Sequence, residues 1–365
     1  MANSPGKKLT LEQVARLAGV SRATVSRVVN NPASVSPEYR ARVEKVIADT
    51  GYQPNLAARS LASRRSGIIG LIIPSVTEFV FADPYYPILI EGISRACNLH
   101  DLTLTLFLFN SQDDQERLYR RALGTGLLDG VIVTADKLVD PLIPELIARQ
   151  IPAVYVGRPP DSSQTSYVDV DNVSGAYVAT SHLIRLGYER VATITGPMDS
   201  TAGIDRRTGY IKALQERGRK VDENLIVEGD FSLDSGYAAM RQLLLHRPDA
   251  VFAASDTMAF GAIRAIREAG LRVPDDVAII GFDDLPPAMR FDPPLTTIRQ
   301  PVRRNGMLAV EVLLELLEMG PHPPRHLILT TELVIRSTCG GILESGPGGS
   351  PRQQPVEGSF SDQRS

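Results

Sequence analysis

The sequence predicts an N-terminal all-α helix-turn-helix domain followed by an α/β core of two lobes, each built on a doubly wound parallel sheet. Three observations predict it. A basic head carries helix-capping punctuation, a long stretch behind it alternates short apolar runs with amphipathic helical patterns, and 365 residues are more than one ordinary core fills.

Between Met1 and Ser66 eleven Lys or Arg stand against four acids, a net +7 in a chain whose overall charge is -3. A basic head on an acidic body is the footprint of a head that neutralises phosphates. Thr10-Leu11-Glu12-Gln13 reads as a capping box before Val14, Leu17 and Ala18, so a first helix starts there and Gly19 ends it. Ser21 caps a second helix over Arg22 to Asn30, and Ser36-Pro37 opens a third that carries Tyr39, Val43, Val46 and Ile47 on one face and stops at Gly51. Three short helices on one small core make a helix-turn-helix unit over 9–52, behind a flexible 1–8.

In such a unit the early residues of the second helix meet base edges in the major groove. Arg22, Ala23 and Arg27 are therefore base-reading candidates, joined by Leu11. Arginine pairs bidentately with guanine, whereas alanine offers a methyl-sized apolar contact. Thr10, Ser21, Thr24, Ser26 and Asn30 are short polar donors suited to phosphates, which set register without reading sequence. Three-helix units also serve as protein-docking modules; the charge bias weighs against that alternative.

The string from Val14 to Asn30 resembles the head of the lactose-repressor and galactose-repressor family, and the resemblance continues through Gly51-Tyr52-Gln53-Pro54-Asn55. It implies that Tyr52 and Asn55 touch the DNA backbone. Leu56 to Ala62 has helix-forming residues but is shorter than the roughly 12–15 that hold a helix unaided. On residues alone 53–65 reads as a flexible basic linker; the resemblance implies a hinge helix that pairs with its two-fold mate, pushing Leu61 into the minor groove beside Ala58. Arg64 and Arg65 lie where they can add phosphate contacts.

Residues 66–340 form the expected core. Gly67 to Ile73, Thr103 to Phe109, Gly130 to Val133 and Ala153 to Val156 read as one set of strands, with helices near Tyr85 to Leu99, Gln112 to Leu123 and Pro141 to Arg149. A second set runs through Arg190 to Ile194, Leu225 to Val227, Ala250 to Ala253 and Val277 to Phe282, separated by helices over Asn172 to Leu186, Gly203 to Arg217, Ser235 to His246 and Asp256 to Ala269. Two such lobes face each other across a cleft at the carboxyl ends of their strands. Val170-Asp171-Asn172, Gly281-Phe282-Asp283-Asp284 and Pro294 to Pro301 extend the family resemblance, which implies a periplasmic-binding-protein-like core. The expected division is 66–163 with 296–322 for the first lobe and 164–295 with 323–340 for the second.

Effector-facing residues are nominated from strand ends and from the family's usual ligand positions. They are Asp83, Tyr85 and Tyr86, then Arg158, Arg206, Phe231, Ser255, Asp256 and Asp283. An arginine and a carboxylate in a partly dry cleft fix vicinal hydroxyls, while an aromatic ring covers the apolar face of a sugar. Purine-binding members of the family carry a basic residue shortly after a Gly-Pro like Gly196-Pro197, where this chain has Ser200; that departure favours a carbohydrate. Val76 to Ala82 is longer than the family's usual loop there and is placed to reshape the cleft mouth.

Gly124 to Gly130 precedes a strand and lacks the Lys-Ser of a phosphate loop, the five histidines are scattered, and no Gly-x-Ser-x-Gly elbow occurs. No catalysis, cofactor or metal is expected. Cys97 and Cys339 read as apolar fillers, 341–365 as a disordered tail, and the absence of a secretory signal or apolar span as a cytoplasmic, nucleoid-associated location. The expectation is a repressor that binds double-stranded operator DNA as a homodimer or tetramer under control of a carbohydrate effector. A solute-binding protein for uptake and a sugar-modifying enzyme are the rival classes; the first has no use for a basic head and the second needs an acid and a base.

Overall fold

The computed structural model describes residues 9–30, 34–52, 65–111, 114, 117, 119, 123–124, 126–135, 137–138, 142–320 and 323–341. Asn55, Ala58 and Leu61 of the expected backbone contact and hinge lie outside the described residues, as do most of the helix expected over 112–123, the tail from 342 and the side chain of Asn30.

The head is α1 (Leu11–Ala18), α2 (Arg22–Asn30) and α3 (Pro37–Thr50). The capping box forms: Thr10 N donates to Gln13 Oε1 at 2.7 Å and Gln13 N to Thr10 Oγ1 at 3.4 Å. Gly19, at φ 65°, turns the chain out of α1. Val14, Ala18, Val25, Val28 and Val43 close into one small core, and the ring of Tyr52 joins them, 8% exposed. So small a core needs that ring. Leu11 is half-buried against this cluster.

In the core, β1 (Ile68–Val76), α4 (Thr77–Ala82), α5 (Tyr85–Leu99), β2 (Thr103–Phe109), β3 (Gly130–Thr134), α6 (Leu142–Ala148), β4 (Ala153–Val156) and β5 (Ser166–Val170) come first. Then follow α7 (Asn172–Arg185), β6 (Val191–Thr195), α8 (Thr201–Glu216), β7 (Ile226–Glu228), α9 (Leu233–Leu244), β8 (Ala250–Ala253), α10 (Asp256–Glu268) and β9 (Ala278–Asp283). The chain ends through α11 (Pro286–Arg290), β10 (Thr296–Arg299), α12 (Val302–Met319), β11 (His326–Leu329) and β12 (Glu332–Val334).

One sheet has the order β11-β5-β4-β3-β1-β2 and is parallel throughout. The other, β12-β10-β9-β8-β6-β7, is parallel except where β12 runs against β10. Helices cover both faces of each sheet, which is why the central strands are apolar on both sides. In β8, Val251 and Ala253 enter one buried cluster while Ala250 and Phe252 enter the other.

The lobe boundaries fall later in the chain than expected. Ser166–Val170 pairs with β4, so the first lobe runs to 170; Thr296–Arg299 pairs with β9 and stays in the second; His326–Leu329 returns to pair with β5. The polar look of Thr296 and Thr297 hid a buried strand whose hydroxyls are satisfied internally, Thr296 Oγ1 accepting from Arg336 N and Thr297 Oγ1 donating to Asp256. The long segment after β1 is a helix, α4, whose Val80 is buried in the first lobe.

Candidate nucleic-acid interface and effector cleft

α2 begins where Ser21 Oγ accepts from Thr24 N at 3.1 Å, and it exposes Arg22, Ala23 and Arg27, the face expected to read bases. Ser21 and Thr24 share a hydroxyl contact of 2.9 Å, and the Thr10 hydroxyl is committed to the capping box. Arg22 Nε lies 3.1 Å from Glu12 Oε1, but both groups are largely exposed, so the pair is weak and leaves the guanidinium open to another partner.

At the other site Arg206 is central. Ser200 Oγ accepts from Gly203 N at 3.0 Å and starts α8, which delivers Arg206 to the strand ends with only 6% of its surface exposed. Its Nε donates to Asn172 Oδ1 at 2.8 Å, its Nη1 is 3.7 Å from Asp283 Oδ1, and its guanidinium lies 3.7 Å over the Phe282 ring and 5.7 Å from that of Phe231. Gln300 Nε2 donates to Asp283 Oδ1 at 2.5 Å. Phe231 at φ 69° and Asp283 at φ 126° hold backbone conformations that side chains rarely adopt. Such strain persists where surrounding structure over-determines it, a frequent mark of ligand sites.

Three carboxylates crowd this arginine, and burial dominates all of them. Burial raises Asp83 and Asp169, against hydrogen bonds from Tyr85 N and Val170 N respectively. Asp283 is pushed up to about 7 by burial, with Asp83 adding and Arg206 and Gln300 opposing. Desolvation in turn pulls Arg206 down, against the field of Asp283.

The sequence nominated two neighbours for roles that the packing reassigns. Asp256 is fully buried and both its oxygens are spent inside the second lobe, Oδ1 on the Thr297 hydroxyl at 2.5 Å and Oδ2 on Leu285 N at 2.8 Å. It ties β10 to the turn after β9. Ser255 Oγ accepts from Met258 N at 3.1 Å and caps α10. Tyr86, 6% exposed, packs edge-on with Phe79 and Tyr85 against the first lobe's core, and Tyr85 is half-buried beside Asp83.

Direct bonds between the lobes close the cleft. Arg158 Nη2 donates to both oxygens of Asp205 at 2.7 and 2.6 Å, Thr201 Oγ1 donates to Arg158 O at 2.7 Å, and Thr257 Oγ1 reaches Asp83 Oδ1 at 3.4 Å. Arg158, Arg206, Asp83, Phe231 and Asp283 are thus brought together as nominated. Asn172, Asp205, Asp169, Thr257 and Gln300 were missed; Asn172 and Gln300 lie within recognised motifs, Asp205 adjoins Arg206 and Asp169 immediately precedes Val170-Asp171-Asn172, whereas Thr257 meets its partner Asp83 across 174 residues of chain.

Residues 10–55 match the model of bacterial regulatory proteins of the lacI family, and residues 180–339 match a periplasmic binding protein-like domain. The HTH-type transcriptional regulator CelR of Thermobifida fusca is 41% identical over 336 residues, covering 91% of this chain and 98% of the relative. A solved CelR-cellobiose complex superposes with a TM-score of 0.73 at 40% identity, over 90% of this chain and 99% of that one. A lac repressor dimer bound to operator and the anti-inducer ONPF gives 0.79 at 30% identity, over 91% and 99%.

Proposed function

Because the chain belongs to the lacI family of bacterial regulatory proteins, we propose that it is a transcriptional repressor whose head reads an operator as a homodimer and whose cleft takes a neutral sugar. The observation that carries the effector reading is the set of Arg206, Asp283 and Phe231 at the strand ends, a fork, an acceptor and a ring face. The carboxyl groups of Asp83, Asp169 and Asp283 beside the Arg206 guanidinium offer the hydroxyls of an uncharged sugar both acceptors and donors. Ser200, spent on capping α8, brings no cation for a purine. The cellobiose held by the CelR relative makes a glucose disaccharide the first candidate. Dimerisation is supported by the lac repressor dimer and by a single head offering few base contacts.

Calorimetry of the full-length chain against cellobiose, lactose, ribose, guanine and glucose 6-phosphate tests this reading. Binding of an uncharged sugar, lost in Asp283→Ala, is the expected result. Binding of guanine or the sugar phosphate in preference would overturn it.

A further inference from the structure

The segment that joins head to core enters at Arg65, and two parts of the first lobe seize it there. Ser66 N and Oγ donate to Asp129 Oδ1 at 2.6 and 2.9 Å, Gly67 N donates to Asp129 Oδ2 at 2.8 Å, and Arg65 Nη2 donates to Leu317 O at 2.5 Å. Leu317 lies in the last turn of α12, where carbonyls lack helical partners and the helix presents its negative end to a cation.

The opposite end of α12 starts at the cleft. β10 belongs to the second lobe and α12 to the first, so the chain crosses between lobes at Gln300 and Pro301. Gln300 makes two bonds to one cleft residue, its N to Asp283 O at 3.3 Å and its Nε2 to Asp283 Oδ1 at 2.5 Å. The 18 residues of α12 span about 27 Å of hydrogen-bonded rod. That rod is seated without slack on α5: a Cβ on Gly92 would fall 2.2 Å from Arg303 O, one on Gly306 2.6 Å from Leu89 O, and Arg303 pairs with Glu91 at 2.8 Å. A rotation of the second lobe that displaces Asp283 therefore pulls on one end of a stiff element whose other end holds the entry point of the head.

We propose that α12 is the strut through which the cleft controls the head, with Gln300 as its cleft-side anchor and Arg65 as the positioning residue at its far end. This rests on the cleft being the effector site.

The test is a double-mutant cycle on operator affinity, using the full-length chain and a duplex that it selects from random DNA. Wild type, Arg65→Met, Gln300→Met and the double variant are compared, with Arg65→Lys retaining a donor to Leu317 O. The strut predicts that Gln300→Met changes affinity about fivefold or more in the wild-type and Arg65→Lys backgrounds, and much less in Arg65→Met. Additivity within about twofold, or no effect of Gln300→Met at all, overturns the proposal. A loss in Arg65→Met that is additive would make Arg65 a phosphate contact only, which also overturns it. Parallel calorimetry with cellobiose separates the two readings, since failure of the wild type to bind any sugar strikes the effector assignment and leaves the coupling between Gln300 and Arg65 to be read on its own.

Discussion

Arg27 and Asp283 carry the two halves of the account at the residue scale. Arg27 is exposed on α2, and Arg27→Ala should weaken binding to a selected operator about tenfold or more while leaving affinity for random duplex much closer to wild type. Equal losses on both duplexes, in a fluorescence anisotropy titration, would make it a phosphate contact. Burial lifts Asp283 to about 7, so the folded core holds its proton more firmly than the unfolded chain, in which aspartate titrates near about 3.9. That protonation contributes its full stability below about pH 4 and loses it as pH rises through about 7. Thermal melts should show wild type losing Tm relative to Asp283→Asn across that window; parallel curves would contradict the buried placement. The role of a single buried residue is decided by partners that lie far away in the chain. Asp256 and Asp283 look alike in sequence, and only the partners Thr297 and Leu285, 41 and 29 residues away, decide that Asp256 is a tie. Tyr39 was expected to be buried with Val43, yet it is 46% exposed with Arg42 beside its ring.

Elements were far more legible, because their signals are local. The capping box at Thr10, the glycine at 19 and the apolar runs of β1, β3 and β9 each announce themselves within a few residues. β5, β10 and β11 escaped because they are short and part-polar, and their place in a sheet depends on chain arriving from the other lobe. Helix packing is set by small residues at contact points. A Cβ on Gly236 of α9 would stand 2.2 Å from Met258 O of α10, so Gly236→Val should destabilise the chain by about 1–3 kcal/mol, since the backbone there cannot yield. Urea unfolding measures it, and a variant as stable as wild type would show that the two helices have room to separate.

For the molecule as a whole, the charge split and the alternation of strands and helices sufficed for the architecture of head and two lobes, while the closed cleft was invisible in the sequence. Arg158 and Asp205 lie 47 residues apart and on different lobes, and nothing local to either marks the pair that bridges them. Two lobes that bond directly have a defined closed state, and a ligand that binds it differently from an open one shifts the balance felt by the head. The central claim is that docking of α2 on DNA answers to the cleft. Equilibrium binding of the full-length chain to its selected duplex and to a scrambled one, with and without the sugar that calorimetry identifies, tests it most directly. The account predicts a preference for the selected duplex of about a thousandfold or more and a sugar-dependent change of about fivefold or more that Asp283→Ala abolishes. Equal affinity for both duplexes, unmoved by the sugar, would contradict it.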